Sequence, residues 1–199
     1  MVKTMLLGGV LGGLVLFVWS SISWVVLHWH EPTLRQFTNE DAVSATLLAN
    51  APESGIYILP NAFHGLDGMT PEQKAAAQEA AMQKKETGPF FFANVVREGT
   101  PGMAPQMLQA LIVNIIAAAT VAWLLMTTPL RSFSSKVRFV VMMALLGFLV
   151  GKLPFGIWWH FSTDFILLEL LDLIIGWGLA GCVLAWATGR SSSAGASSA

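Results

Sequence analysis

Hydrophobic residues in this chain are concentrated in four long runs instead of being spread through short amphipathic segments. The runs cover residues 5–27, 107–126, 137–153 and 165–187, and Pro154 is expected to end the third. A helix that rises ~1.5 Å per residue needs about 20 apolar residues to cross the hydrocarbon core of a bilayer. The pattern therefore predicts four transmembrane helices, forming a membrane all-α bundle.

A polar segment separates the first run from the second, and its turn signals predict a small α+β domain over residues 28–106. A capping box at Thr38 and Asp41 predicts a short helix over 42–49. Two runs rich in aromatic and β-branched residues, 55–60 and 89–96, predict strands.

The strongest local signal in this domain lies between the two predicted strands. Thr70-Pro71-Glu72-Gln73 combines a capping threonine, a proline at the first helical position and a glutamine three residues after the cap. Gly88 supplies the stop, so a helix is expected over 70–86. Two strands flanking a helix predict a βαβ-like unit, too small to bury much apolar surface by itself.

Composition agrees with a membrane protein. Of 199 residues, 54% are hydrophobic and 12% are charged, whereas soluble domains carry about 25% charged residues. The net charge of −1 gives no reason to expect nucleic acid as a partner. The single cysteine, Cys182, excludes an internal disulfide and a CxxC site.

The first run could be a cleaved signal peptide or a retained anchor. A signal peptide has a basic start, a short apolar core and a small-residue cleavage site. Here only Lys3 precedes the run, the apolar residues continue through Leu27, and no A-x-A motif follows. We therefore expect residues 1–27 to remain as the first transmembrane helix.

Basic residues near the span ends predict the orientation, because they favour the cytoplasmic side. With both termini inside, the inner segments hold five basic residues and no acidic one: Lys3, Arg131, Lys136, Arg138 and Arg190. The expected location is a bacterial inner membrane, N-in and C-in, with residues 28–106 periplasmic. Helices two to four lie within residues 107–188, and the Ser/Ala-rich tail 189–199 is expected to be disordered and cytoplasmic.

The fourth run contains three acidic residues, Asp164, Glu169 and Asp172. Glu169, Asp172 and Gly176 share one stripe of a helix. A carboxylate inside the bilayer costs ~2.5–3.5 kcal/mol on the gentler insertion scale, so it needs a partner or an interior position. Lys152 is the obvious counter-charge for Glu169 or Asp172, with Asn114 as a further polar group. A structural bridge and a proton, cation or head-group site both remain open.

Four histidines are the second polar signal: His28, His30, His64 and His160. All are expected on the outer side, and Glu31 adds a carboxylate beside the first two. Imidazole and carboxylate are ligands for zinc or copper. The alternative is interfacial histidines among tryptophans, an ordinary position for amphipathic rings.

Small residues in the first span predict close helix packing. The pairs Gly8–Gly12 and Gly9–Gly13 form two small-xxx-small patterns, and Gly176 offers the same feature in the fourth span. Such faces favour association within the chain or with another subunit.

The sequence contains no nucleotide-binding loop, nucleophile elbow or zinc motif that would identify a reaction. The function is therefore predicted from the weaker features above. We expect a non-catalytic accessory or assembly subunit of a larger inner-membrane complex, with other membrane subunits and the lipid bilayer as partners. Two alternatives stay open. One is a metal- or cofactor-handling protein that uses the outer histidines. The other is a small transporter or membrane enzyme that uses the carboxylates of the fourth span.

Overall fold

A computed structural model describes residues 1–196, with side chains through residue 189. Four long apolar helices pack together: α1 (Val2–Ser21), α4 (Met103–Thr127), α5 (Phe133–Gly151) continued by α6 (Leu153–Trp159), and α7 (Thr163–Ala196). Each contains an 18-residue window of mean hydropathy 2.0 or 2.1, long and apolar enough to cross a membrane. The chain is an integral membrane protein with the predicted four-helix architecture.

The prediction that Pro154 ends the third span is wrong. After a break at Lys152 the path continues as α6 through Trp159, because Pro154 lies in the first turn of that helix, where its missing N–H costs nothing. The connection to α7 is therefore only residues 160–162. The connection between α4 and α5 is also short, since α5 begins at Phe133 with Ser132 as its cap.

The last helix runs to Ala196 and so extends into the segment for which the sequence predicts a disordered tail. Residues 197–199 lie outside the described part of the chain, and the prediction of disorder is untested there.

Helices α1 and α7 form the middle of the bundle, because α1 packs along both α4 and α7, and α7 in turn packs along α5. The glycines of α1 make this possible. A Cβ built on Gly13 would lie 2.5 Å from the Ile115 Cα atom of α4, and one on Gly9 would lie 2.6 Å from the Ala119 Cβ atom. The predicted small-residue faces are therefore an intramolecular contact, in which the backbones of α1 and α4 nearly touch.

Between the two ends of the bundle lies an apolar core. Its buried side chains come from α4, α5 and α7: Ala122, Leu125, Val140 and Leu184.

The insert between α1 and α4 contains α2 (Glu40–Asn50), β1 (Gly55–Leu59), α3 (Pro71–Thr87) and β2 (Phe91–Val95). The strands pair antiparallel, with Tyr57 opposite Ala93. This differs from a βαβ unit, whose strands are parallel. Residues 36–100 form a compact unit of their own.

The sequence predicts the cap of α3 correctly but not the cap of α2. Thr70 accepts a hydrogen bond from the Gln73 amide while the Gln73 side chain accepts one from the Thr70 amide, which confirms the capping box of α3. At α2 the cap is Asn39, whose side chain accepts from the Ala42 amide, and not Thr38.

Arg97, just after β2, ties α2 to the sheet. Its guanidinium donates to the carbonyls of Leu48 (2.7 Å) and Ala51 at the end of α2. Ser54 accepts from the Arg97 amide and donates to the Glu98 carboxylate at 2.7 Å, and this bond lowers the pKa of Glu98. The insert is thus held by polar contacts at one end of its sheet.

The glycine contact between α1 and α4 can be tested by adding one methyl group. We expect Gly13→Ala to lower the free energy of unfolding by about 1–3 kcal/mol, the usual cost of overpacking, because the new Cβ meets backbone atoms that cannot rotate away. Gly147→Ala in α5 is the matched control, since a Cβ there meets nothing within 4 Å. Unfolding of both variants in detergent micelles measures the difference, and equal stabilities would contradict the contact.

Candidate functional site

The end of α1 is where the chain departs most from regular structure. The helix widens into a π-helical turn, Ile22–Val26, and His28 then adopts a left-handed backbone conformation with φ 53°. A short 3-10 turn over Glu31–Thr33 follows. The result is a reversal that returns His30 to the side of Ser23, seven residues earlier in the chain.

Ser23 and His30 form a buried polar contact at this reversal. Ser23 is fully buried and His30 is 1% exposed. The Ser23 Oγ atom lies 3.0 Å from His30 Nε2 and accepts a hydrogen bond from the Trp29 indole at 2.9 Å. The π-helical turn thus aims a hydroxyl at the chain that folds back over it, consistent with the frequent occurrence of such turns at functional sites.

Helix α7 supplies the acidic member of the site. The Asp172 Oδ2 atom lies 3.5 Å from His30 Nε2. The Trp19 indole donates to the Asp172 backbone carbonyl at 3.1 Å. Gly176 makes room for this indole, because a Cβ there would lie 2.8 Å from the Trp19 Cδ1 atom.

Aromatic rings enclose the imidazole. Trp24 stacks on His30 with ring centroids 3.9 Å apart and an interplanar angle of 5°, and Trp29 meets it edge-on at 6.2 Å. We call these six residues the His30 cluster: Trp19, Ser23, Trp24, Trp29, His30 and Asp172.

The His30 cluster contains a serine, a histidine and an aspartate but lacks the geometry of a catalytic triad. In a triad the serine and the carboxylate bind opposite nitrogens of the imidazole. Here Ser23 and Asp172 both approach Nε2, and Ser23 has no exposed surface for a substrate. The buried atoms His30 Nδ1 and Asp172 Oδ1 have no hydrogen-bond partner among the described residues. The arrangement is suited to sharing a proton or holding the reversed chain against α7.

The structure does not bring together the histidines singled out in the sequence. Among residues 1–196 no group of three His, Cys, Asp or Glu side chains could hold a metal ion. His28 instead pairs with Glu31 at 2.7 Å on the surface. His160 ends α6 in a left-handed conformation, and His64 lies in the insert.

The other acidic residues of the fourth span have separate basic partners. Lys152 lies 2.7 Å from Glu169, and Arg35 lies 3.2 Å from Asp164. The sequence left Glu169 and Asp172 as possible partners of Lys152. In the structure Lys152 pairs with Glu169, while Asp172 faces His30. Among the described side chains, no hydrogen bond joins the half-buried Asn114 to these pairs.

The insert presents a second candidate surface. Of residues 36–100, all of them described, only Ala51 is buried. Ile56 and Phe63 are each 71% exposed and line a groove of about 480 Å³ beside β1. The unit carries eight acidic and four basic residues. Its surface is therefore both apolar and negatively charged.

Comparisons with known proteins assign no family to the chain. No protein-family model matches it, and neither a curated protein nor a solved structure is significantly similar.

The sequence places Asp172 and Gly176 on one stripe of the fourth span, but His30 was proposed separately and was not joined to them. Trp19 was missed entirely, since an interfacial-type tryptophan one turn inside a span carries no pattern that distinguishes it. The contact between residues 30 and 172 depends on the reversal of the chain after α1. No local sequence motif predicts that reversal.

His28 and His30 provide a matched test of the cluster, because each faces a carboxylate but only His30 is buried. We expect His30→Ala to lower the free energy of unfolding by about 3 kcal/mol, the lower end of the cost of breaking a buried pair. His28→Ala should cost less than about 1 kcal/mol, as exposed pairs do. Denaturant unfolding in micelles measures both. The loss from His30→Ala should shrink in an Asp172→Asn background, and equal losses in both backgrounds would rule out the pairing.

Proposed function

We propose that this protein is a non-catalytic accessory subunit of a larger membrane-protein complex, which it joins through the insert. The observation that carries the proposal is the lack of a core in residues 36–100. Ala51 is the one buried residue in this described unit. A two-stranded sheet is only marginally stable by itself in water, so a partner surface would supply the missing burial.

The chemistry of the surface favours a particular partner. Exposed Ile56 and Phe63 suit an apolar patch, and the excess of acidic residues suits a basic rim around it. We therefore propose the water-facing domain of another integral membrane protein, apolar at its centre and basic at its edge.

The bundle itself argues against a transport pathway. The His30 cluster and the Lys152–Glu169 pair lie toward the end that carries the insert. The buried Lys136 and Thr188 lie near the other end of the bundle, and between the two polar regions the described core consists of apolar side chains. A path for ions or protons needs polar groups through the whole thickness, and Asp172 is the last acidic residue of the chain.

The location we propose is a bacterial inner membrane, with both termini in the cytoplasm and the insert in the periplasm. It rests on the basic residues at the ends of the spans opposite the insert, where no acidic residue occurs.

Partner binding can be tested by purification in mild detergent from native membranes, with mass spectrometry and size-exclusion mass. We expect a stoichiometric membrane partner with the wild-type chain and its loss with Ile56→Asn/Phe63→Asn. Met82→Asn, at a 51% exposed position of α3, is the matched control and should retain the partner. A wild-type chain that elutes alone, or a partner retained equally by all three proteins, would contradict the proposal.

Orientation has its own test with an impermeant maleimide on intact cells. In a Cys182→Ala background, a cysteine in place of Gln78 in α3 should be labelled. A cysteine in place of Ser134 at the start of α5 should react only after the membrane is opened. The reverse pattern would overturn the N-in topology.

A further inference from the structure

Lys136 is a buried cation with no counter-ion among the side chains that the structure describes. It lies in the first turns of α5, only 5% exposed, between α5 and α7. Its ammonium donates to the Thr188 hydroxyl at 3.1 Å. A hydroxyl satisfies one N–H of the ammonium, but it does not neutralise the charge.

The chain contains no acidic residue that could reach this ammonium. Residues 1–30, 99–163 and 173–199 lack aspartate and glutamate altogether. The nearest acidic residue along α7 is Asp172, which precedes Thr188 by about 24 Å at a helical rise of ~1.5 Å per residue. Arg131 and Arg138 add two exposed cations at the same end of the bundle. The aspartates and glutamates of this chain therefore leave the positive charge at this end open to a counter-ion from outside.

The position of Lys136 places its charge near the membrane surface. Helical side chains tilt toward the N-terminus of their helix, so the Lys136 stem points toward the beginning of α5. Thr188 is the last residue but one of the fourth candidate span, Thr163–Gly189. Long basic side chains at span ends extend in this way to the level of the lipid phosphates.

An apolar groove begins beside this basic end. It has a volume of about 550 Å³ and runs along α1 and α7, with Leu14 and Trp186 among its lining residues. Phe133, the first residue of α5 and three before Lys136, also lines it. The groove is apolar along its length, and Phe133 places one part of it about a helical turn from Lys136. An apolar groove close to a cation matches the two parts of an anionic phospholipid.

We propose that Lys136 and the adjacent groove form a binding site for an anionic glycerophospholipid, whose phosphate neutralises the cations while an acyl chain lies against Leu14 and Trp186. The charge selects an anionic headgroup, and the groove favours a lipid over a free anion. The site lies at the opposite end of the bundle from the His30 cluster and is independent of any partner of the insert.

The test measures thermal unfolding of delipidated protein in mixed micelles. We expect phosphatidylglycerol to raise the Tm in a concentration-dependent manner, while phosphatidylcholine with the same acyl chains raises it much less. Inorganic phosphate and glycerol phosphate separate the possible sources of the anion and should have little effect. Equal shifts with phosphatidylcholine, or equal shifts with free phosphate, would overturn the lipid site.

A variant pair locates the site. Lys136→Gln should weaken the apparent affinity for phosphatidylglycerol about fivefold or more, as expected for one lost cation contact. Lys3→Gln removes an exposed charge at the same end of the bundle and should change the affinity less. If both variants weaken binding equally, general surface attraction explains the effect and the site is disproved. Lys136→Arg keeps the charge and provides a folded comparison should Lys136→Gln fail to fold; it should bind as the wild type does.

Discussion

The close approach of α1 to α4 and α7 is the contact on which the rest of the bundle depends. Gly9 and Gly13 let the backbone of α1 meet α4, while Gly8 and Gly12 admit Leu184 of α7. Membrane helices gain little from hydrophobic association, because lipid is as apolar as their side chains, so close packing must supply the attraction. With α1 held between two helices, the residues at its end have a fixed place relative to α7.

That fixed place explains how a histidine becomes buried beside an aspartate in a membrane bundle. Trp19 reaches over Gly176 to the Asp172 carbonyl, and one turn later Ser23 faces the returning chain. His30 then fills the space next to Asp172 instead of remaining with its neighbour His28 at the surface. A polar pair inside the membrane requires an enclosing structure, and three tryptophans of α1 and its reversal provide it.

Features that depend on neighbouring residues, such as span length and helix capping, could be predicted from the sequence. Contacts that depend on the chain reversal after α1 could not. Span length follows from bilayer thickness, and the Thr70–Gln73 capping box follows from unpaired helix amides. Pro154 misled because its effect depends on whether a helix is interrupted or begun there. Sequence spacing could not predict the partner of Asp172. Lys152 was an equally plausible partner for Glu169 or Asp172, and His30 is 142 residues away from Asp172 in the chain.

The two ends of the bundle solve the same electrostatic problem in different ways. At the insert end each acidic residue of α7 has a basic or imidazole partner within the chain: Arg35, Lys152 and His30. At the other end Lys136 is as deeply buried but the chain offers it only a hydroxyl. Burial of an unpaired charge is costly, and the lipid phosphate proposed above would offset that cost. Ion pairs within the chain fix the helices against each other. A charge without such a partner depends instead on a counter-ion from the surroundings. The acidic residues of α7 are therefore balanced within the chain, whereas in our proposal Lys136 is balanced by a membrane lipid.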